Sequence, residues 1–177
     1  MKLSFAAILS AASLFAQQPP ANPLVASSKA IFQISKNDVM GSVDKVPDEL
    51  WSFQPTKDVR TFAQLFAHIA DGQYEFCGAA TEGKPVEKGI EKTAKTKAEI
   101  VTALQSAFSY CEETYAGMTD AKAAELVPFF GRSLTRIGIM DFNTAHNMEH
   151  YGNLVTYMRH KNIVPPSSAP RPPAAKK

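Results

Sequence analysis

His146-Asn147-Met148-Glu149-His150 lies inside an uninterrupted helical run from about Leu134 to His160. Two histidines four apart on a helix are offset by only ~40° around the axis, so both imidazoles leave one face about one turn apart and can grip one metal ion. A divalent ion held by imidazole wants at least a third protein ligand, with open positions left if the site is to do chemistry. The chain has four histidines, at positions 68, 146, 150 and 160. His160 is ten residues past His150, ~280° away around the helix and near its end, which predicts a surface residue. His68 sits in a separate amphipathic segment. A lone histidine on such a face is ordinarily a satisfied core residue, but beside the later pair it is the expected third ligand.

Working outward, the chain of 177 residues, 45% hydrophobic and 20% charged, is long enough for one domain with a real core. Residues 1–16 differ in kind. Lys2 supplies a positive start, and Leu3 through Ala16 is an uncharged, nearly all-apolar run, too short for a membrane span and read as a secretory signal peptide cut after Ala16. Leu14, at the third position before that cut, is larger than the usual small residue. The expectation is an exported protein, periplasmic or secreted, with no stable membrane anchor after processing. Loss of Lys2 leaves 18 Lys and Arg against 17 acids, a charge of +1 that selects no polyelectrolyte partner. The lysines at 84, 88, 92, 95 and 97 alternate with Glu82, Glu87, Glu91 and Glu99 and have no aromatic platform beside them, which excludes a nucleic-acid surface and reads as a solvated linker.

The first helical pattern lies within Ala21 to Pro47, with Leu24, Ser28, Ile31, Ser35, Val39 and the pair Phe32 and Ile34 at mixed three and four spacings, ended by Gly41 and then Pro47. Leu50, Trp51 and Phe53 follow between two prolines as a plug for one end of a bundle, with Trp51 a core lid rather than a ligand platform. Thr61 with Gln64 forms a capping box that starts the second helix, running to about Ala80. Gly72, one turn after His68, costs ~1 kcal/mol of helix stability against alanine, which predicts close approach of another group there. Residues 81–95 form a polar linker long enough to run the length of a helix and return the chain parallel. Thr96 with Glu99 caps the third helix, which stops at Gly117. Val127-Pro128-Phe129-Phe130-Gly131 is an apolar loop placed over one mouth of the bundle. The fourth helix carries the paired histidines, and the tail 165–177, with its prolines, is expected to be extended or disordered. No segment reads as a strand, so the predicted architecture is an all-α four-helix bundle, with its site built from inward side chains on different helices.

The runs Phe62-Ala63-Gln64-Leu65-Phe66-Ala67-His68-Ile69-Ala70-Asp71 and His146-Asn147-Met148-Glu149-His150-Tyr151-Gly152-Asn153-Leu154-Val155-Thr156-Tyr157-Met158-Arg159, the latter leading into Ile163-Val164-Pro165-Pro166-Ser167, resemble the DinB family. The likeness spans about residues 22–168, with the bundle itself over 22–164. It implies up-down-down-up topology, a divalent metal such as zinc or nickel on His68, His146 and His150, and a tendency to form homodimers. Family members of known chemistry include metal-dependent transferases that join small thiols to electrophiles. Asn153 stands where the family usually has glutamine. A secretory leader on a mostly cytoplasmic domain also argues against the cytosolic thiol substrates.

Three neutral imidazoles leave a divalent ion its full charge, able to hold a bound water or thiol as hydroxide or thiolate, which defines a metal-dependent transferase or hydrolase acting on a small molecule. Glu149, Asn153, Asp71, Gln64 and Glu75 are the polar groups near enough in sequence to orient an imidazole or move a proton, and Glu149 is the candidate catalytic residue, a solvated surface carboxylate being its bland reading. A non-catalytic metal-binding or stress-related bundle is the alternative. His146-Asn147-Met148-Glu149-His150 also matches the H-x-x-E-H pattern of inverted zinc peptidases. Those enzymes take a further acidic ligand downstream, and no Asp or Glu follows His150. Cys77 and Cys111 lie on apolar helix faces at matching distances from their caps. Two reduced core thiols are the favoured expectation, and a disulfide is open to them only if the second and third helices run parallel.

Overall fold

The computed structural model describes residues 20–170, and the signal peptide expected over residues 1–16 lies outside that range. Four long helices carry the fold: α1 Pro23–Lys45, α2 Phe62–Glu82, α4 Lys97–Ala116 and α6 Arg136–His160, with one-turn helices α3 Ile90–Thr93 and α5 Asp120–Ala123 between them. Both expected capping boxes form. Thr61 accepts from the Gln64 amide N–H and Gln64 Oε1 accepts from the Thr61 N–H, and Thr96 and Glu99 repeat the exchange. Each box satisfies two of the N–H groups a helix start leaves bare. Gly83, at φ 75°, closes α2 in the left-handed conformation that a side chain would resist.

Contacts between the helices fix their directions. Tyr74 packs on Tyr110, Cys77 meets Cys111 and Thr81 bonds Thr114, so α2 and α4 run parallel. Phe62 packs on Tyr157 while Phe76 packs on Phe142, so α2 and α6 run antiparallel. Ser28 bonds Asp141 and Ser35 accepts from Asn147, which sets α1 parallel to α6. The bundle is therefore up-down-down-up. Fully buried Phe32, Phe62, Phe66 and Phe108 fill its centre, and burial of such side chains contributes roughly 2–3 kcal/mol each. Trp51 closes one end as expected, 6% exposed, stacked on Phe66 and donating its indole N–H to the Val46 carbonyl. Among the described residues no helix is long and apolar enough to cross a membrane.

The structure corrects five expectations. First, α1 continues through Gly41 to Lys45 and faces the core with Val25, Ser28, Phe32, Ser35, Val39 and Ser42, leaving Leu24, Ile31 and Ile34 exposed. Second, the apolar loop is a hairpin, β1 Leu126–Phe129 paired antiparallel with β2 Arg132–Thr135, so two short strands exist and α6 begins two residues later than expected. Phe129 packs from it onto Phe76 and Phe142. Third, the polar linker contains α3. Fourth, the start of the tail is ordered: Pro165 is buried, Pro166–Ser168 form a 3-10 turn against Gly41, and Ser167 bonds the Tyr151 hydroxyl. The rest of the tail lies outside the described residues. Fifth, Cys77 and Cys111 are joined in a disulfide with Cα atoms 5.4 Å apart rather than held as reduced thiols, and both are wholly buried. The parallel packing makes them level, and the rotation of the two helices also makes them face.

Candidate metal centre

The antiparallel crossing of α2 and α6 brings His68 opposite the middle of the last helix. His146 Nε2 lies 3.2 Å from His68 Nε2 and 3.1 Å from His150 Nε2. Among the described residues these three form a group of metal-ligand type whose donor atoms all fall within 4.8 Å of one another. Ligands bound at ~2.0–2.1 Å stand about 3.3 Å apart in a tetrahedral site and about 3.0 Å apart on one face of an octahedron. The observed spacings fall between these values. The third spacing, His68 to His150, stays within 4.8 Å, so the three imidazoles can share one ion, and His150 lines an open cavity beside them. His160 stacks on Phe53 at the exposed end of α6, away from this group.

Packing explains the convergence. An ideal Cβ on Gly72 would lie 2.7 Å from His146 Cε1 and 3.0 Å from Nδ1, so only glycine lets that ring settle against α2. Phe76 meets the same ring edge-on at a centroid distance of 5.1 Å. His146 Nδ1 is buried with no hydrogen-bond partner. Burial, followed by the neighbouring His150 and His68, pushes the His146 pKa down to about 3. Burial, followed by His68, lowers His150 to about 4, against the opposing pull of Glu149. Burial also lowers His68, with Arg60 adding to the effect and Glu91 opposing it. All three rings are therefore neutral at pH 7, the form in which imidazole ligates a metal.

The groups expected to support the site divide. Asn153 lies nearest, its side-chain amide 3.4 Å from His150 Nδ1, where it supports ligation through Nε2 only with its carbonyl oxygen turned to accept from Nδ1–H. Glu149 is exposed and lines a cavity of about 630 Å³ beside His150, together with Arg60, Gln64, Glu91 and Tyr157. Gln64 is engaged in its capping box, and Glu75 lines a separate groove under the hairpin. Asp71 turns to the linker and accepts the backbone N–H groups of Ile90 and Glu91 at 2.7 and 2.8 Å. That clip brings in the residue the sequence reading passed over. Glu91 Oε2 lies 3.2 Å from His68 Nδ1, and Arg60 donates to Glu91 through Nε at 2.8 Å. Ile90, the only large apolar residue between Val86 and Ile100, was the available signal that the linker folds back onto the bundle.

Fold and site define the class: an all-α bundle with a three-imidazole group, able to hold a metal ion, set between two antiparallel helices. The sequence profile of the DinB superfamily matches residues 32–154, and the chain belongs to that superfamily. Among solved structures it is similar to a DinB-like protein from Bacillus subtilis, at 18% identity and TM-score 0.63 over 80% of this chain and 92% of that one. A DinB-like protein from Bacillus cereus is similar at 16% identity and TM-score 0.68 over 80% and 95%. No curated protein matches the sequence.

Proposed function

We propose that this protein is exported and holds one divalent ion, zinc or nickel, on His68, His146 and His150, which it uses in a transferase or hydrolase reaction on a small molecule. The observation that carries the reading is the gathering of three imidazoles, donor atoms within 4.8 Å of one another, with His150 lining an open cavity. Structural zinc sites are closed by four protein ligands, whereas a reactive site keeps a position free. When bound, such an ion supplies Lewis acidity that lowers the pKa of a coordinated water or thiol. The chain's own contribution is positional: Gly72 and Phe76 seat His146, and the hydrophobic packing around α2 and α6 keeps the rings fixed. Glu149 sits at the rim, where it can take up a proton from a group entering the cavity. The uncharged apolar run after Lys2 supports export.

One observation favours a second reading, a non-catalytic metal-binding bundle: Glu149 is exposed, as a solvated surface carboxylate would be. Turnover across thiol and ester substrates, with and without zinc or nickel, separates the two. Metal-dependent turnover that falls in Glu149→Gln is expected, and metal binding without turnover on any substrate gives the second reading.

A further inference from the structure

We propose that Glu91, carried on the one-turn helix α3, is the positioning residue for His68, and that Asp71 holds α3 in place for that purpose. This rests on the three-histidine group being a metal centre. A carboxylate only accepts hydrogen bonds, so the 3.2 Å approach of Glu91 Oε2 to His68 Nδ1 is a bond only when Nδ1 carries the ring's proton. Neutral imidazole has a single such proton. Holding it on Nδ1 leaves Nε2 as a bare lone pair, and Nε2 is the atom that faces His146 at 3.2 Å. Carboxylates that accept from the far nitrogen of a ligating histidine both fix the tautomer and raise the basicity of the ligand.

The rest of the arrangement serves to place that carboxylate. Asp71 lies three residues after His68, on the neighbouring turn of α2, and its two oxygens accept the N–H groups of Ile90 and Glu91. Those groups open α3, where a helix has N–H donors without internal partners. Gly89, at φ 67°, lets the linker turn sharply into it. Ile90 is 8% exposed and plugs into the core, so α3 is held by an apolar anchor as well as by the clip. Arg60 then approaches Glu91 from the other side through Nε at 2.8 Å and Nη2 at 3.5 Å. Its backbone is fixed in turn, because the Tyr157 hydroxyl donates to the Arg60 carbonyl at 3.0 Å. Glu91 is thus restrained from its backbone and from its side chain, with Oε1 taking the short Arg60 bond and Oε2 shared between the long Arg60 contact and His68.

The test reads the tautomer directly. Imidazole 15N shifts of the metal-free protein at pH 8 are expected to show His68 with its proton on Nδ1. In Glu91→Ala the Nε2-protonated form of His68 should appear, and zinc affinity, measured by competition with a chromophoric chelator, should fall by about tenfold. Glu91→Gln offers a carbonyl acceptor, so it should restore the Nδ1–H form and recover part of the affinity. A purely structural role for α3 would lower the melting temperature equally in both variants, with no change of tautomer. The proposal is overturned if Glu91→Ala keeps His68 protonated on Nδ1, or if the tautomer changes and zinc affinity does not. Should wild type bind no zinc at all, the metal reading fails on that result, while the tautomer of His68 still decides the role of Glu91.

Discussion

His146 and Asn147 are neighbours on α6, and they belong to two layers of the bundle that treat polar groups in opposite ways. In the layer of Asn147, Gln73 donates to Asn147 Oδ1 at 2.5 Å, Asn143 donates to Gln73 Oε1 at 2.8 Å, and Asn147 donates to Ser35. The disulfide lies against this layer, with Asn143 Nδ2 3.6 Å from both sulfurs. Its amides hand their hydrogen bonds to one another, leaving only Asn143 Oδ1 without a partner, which commits the layer to structure. The layer of His146 does the reverse. Three ring nitrogens of one kind stand together, close enough to hold a metal ion, and His146 Nδ1 is left unpartnered. The difference separates polar groups that pair with complementary partners from like groups gathered where an ion could sit.

The largest expected effect breaks the structural layer and spares the other. The disulfide closes a loop of sequence separation 34, for which the chain-entropy relation gives about 4 kcal/mol at 25 °C. Cys77→Ala with Cys111→Ala should lose about that much in a denaturant titration while zinc binding at saturation is unchanged. Thiol counting on unfolded, unreduced wild type should find no free thiol. Two free thiols per chain would contradict the bridge.

Next comes a pair of glycines. Alanine in place of glycine inside a helix normally gains up to ~1 kcal/mol. At Gly152 no atom lies within 4 Å of the added Cβ, so Gly152→Ala should show that gain and leave zinc affinity alone. At Gly72 the added Cβ meets His146, and overpacking of this kind costs about 1–3 kcal/mol. Gly72→Ala should therefore lose stability on balance and weaken zinc by an order of magnitude or so. Equal behaviour of the two variants would remove the argument that Gly72 seats the ring.

A smaller effect concerns pH. His146 and His150 have folded pKa values lowered to about 3 and about 4 from an ordinary 6.5. Between those limits the unfolded chain binds more protons than the fold does, so metal-free stability is complete above about pH 6.5 and declines as pH falls toward 4. Saturating zinc should move that decline to lower pH, because the ion binds only the folded triad. Melting curves from pH 8 to 4, with and without zinc, check both statements. Stability that rises on acidification would reverse the sign.

How much of this was legible depended on distance along the chain. The capping boxes at Thr61 and Thr96 and the pair His146 and His150 are signals within three or four residues, and they could be read directly. The third member of the group needed only the count of histidines. The face of α1 was read in part: Ser28, Phe32, Ser35 and Val39 do face inward, but the exposed Leu24, Ile31 and Ile34 fit the same mixed three and four spacings and blurred which stripe is buried. The hairpin was hidden by its shortness and by Pro128, which argues against a strand in isolation. Glu91 was invisible because its role depends on Asp71, 20 residues away, folding the linker back. The disulfide turned on the relative rotation of α2 and α4, which no local pattern encodes.

The central claim is that His68, His146 and His150 together hold one metal ion. Elemental analysis and zinc titration of the purified protein, wild type against His68→Ala, His146→Ala, His150→Ala and His160→Ala, test it most directly. The account predicts about one ion per chain in wild type and in His160→Ala, and none in the other three. Full occupancy in any one of His68→Ala, His146→Ala or His150→Ala would contradict it.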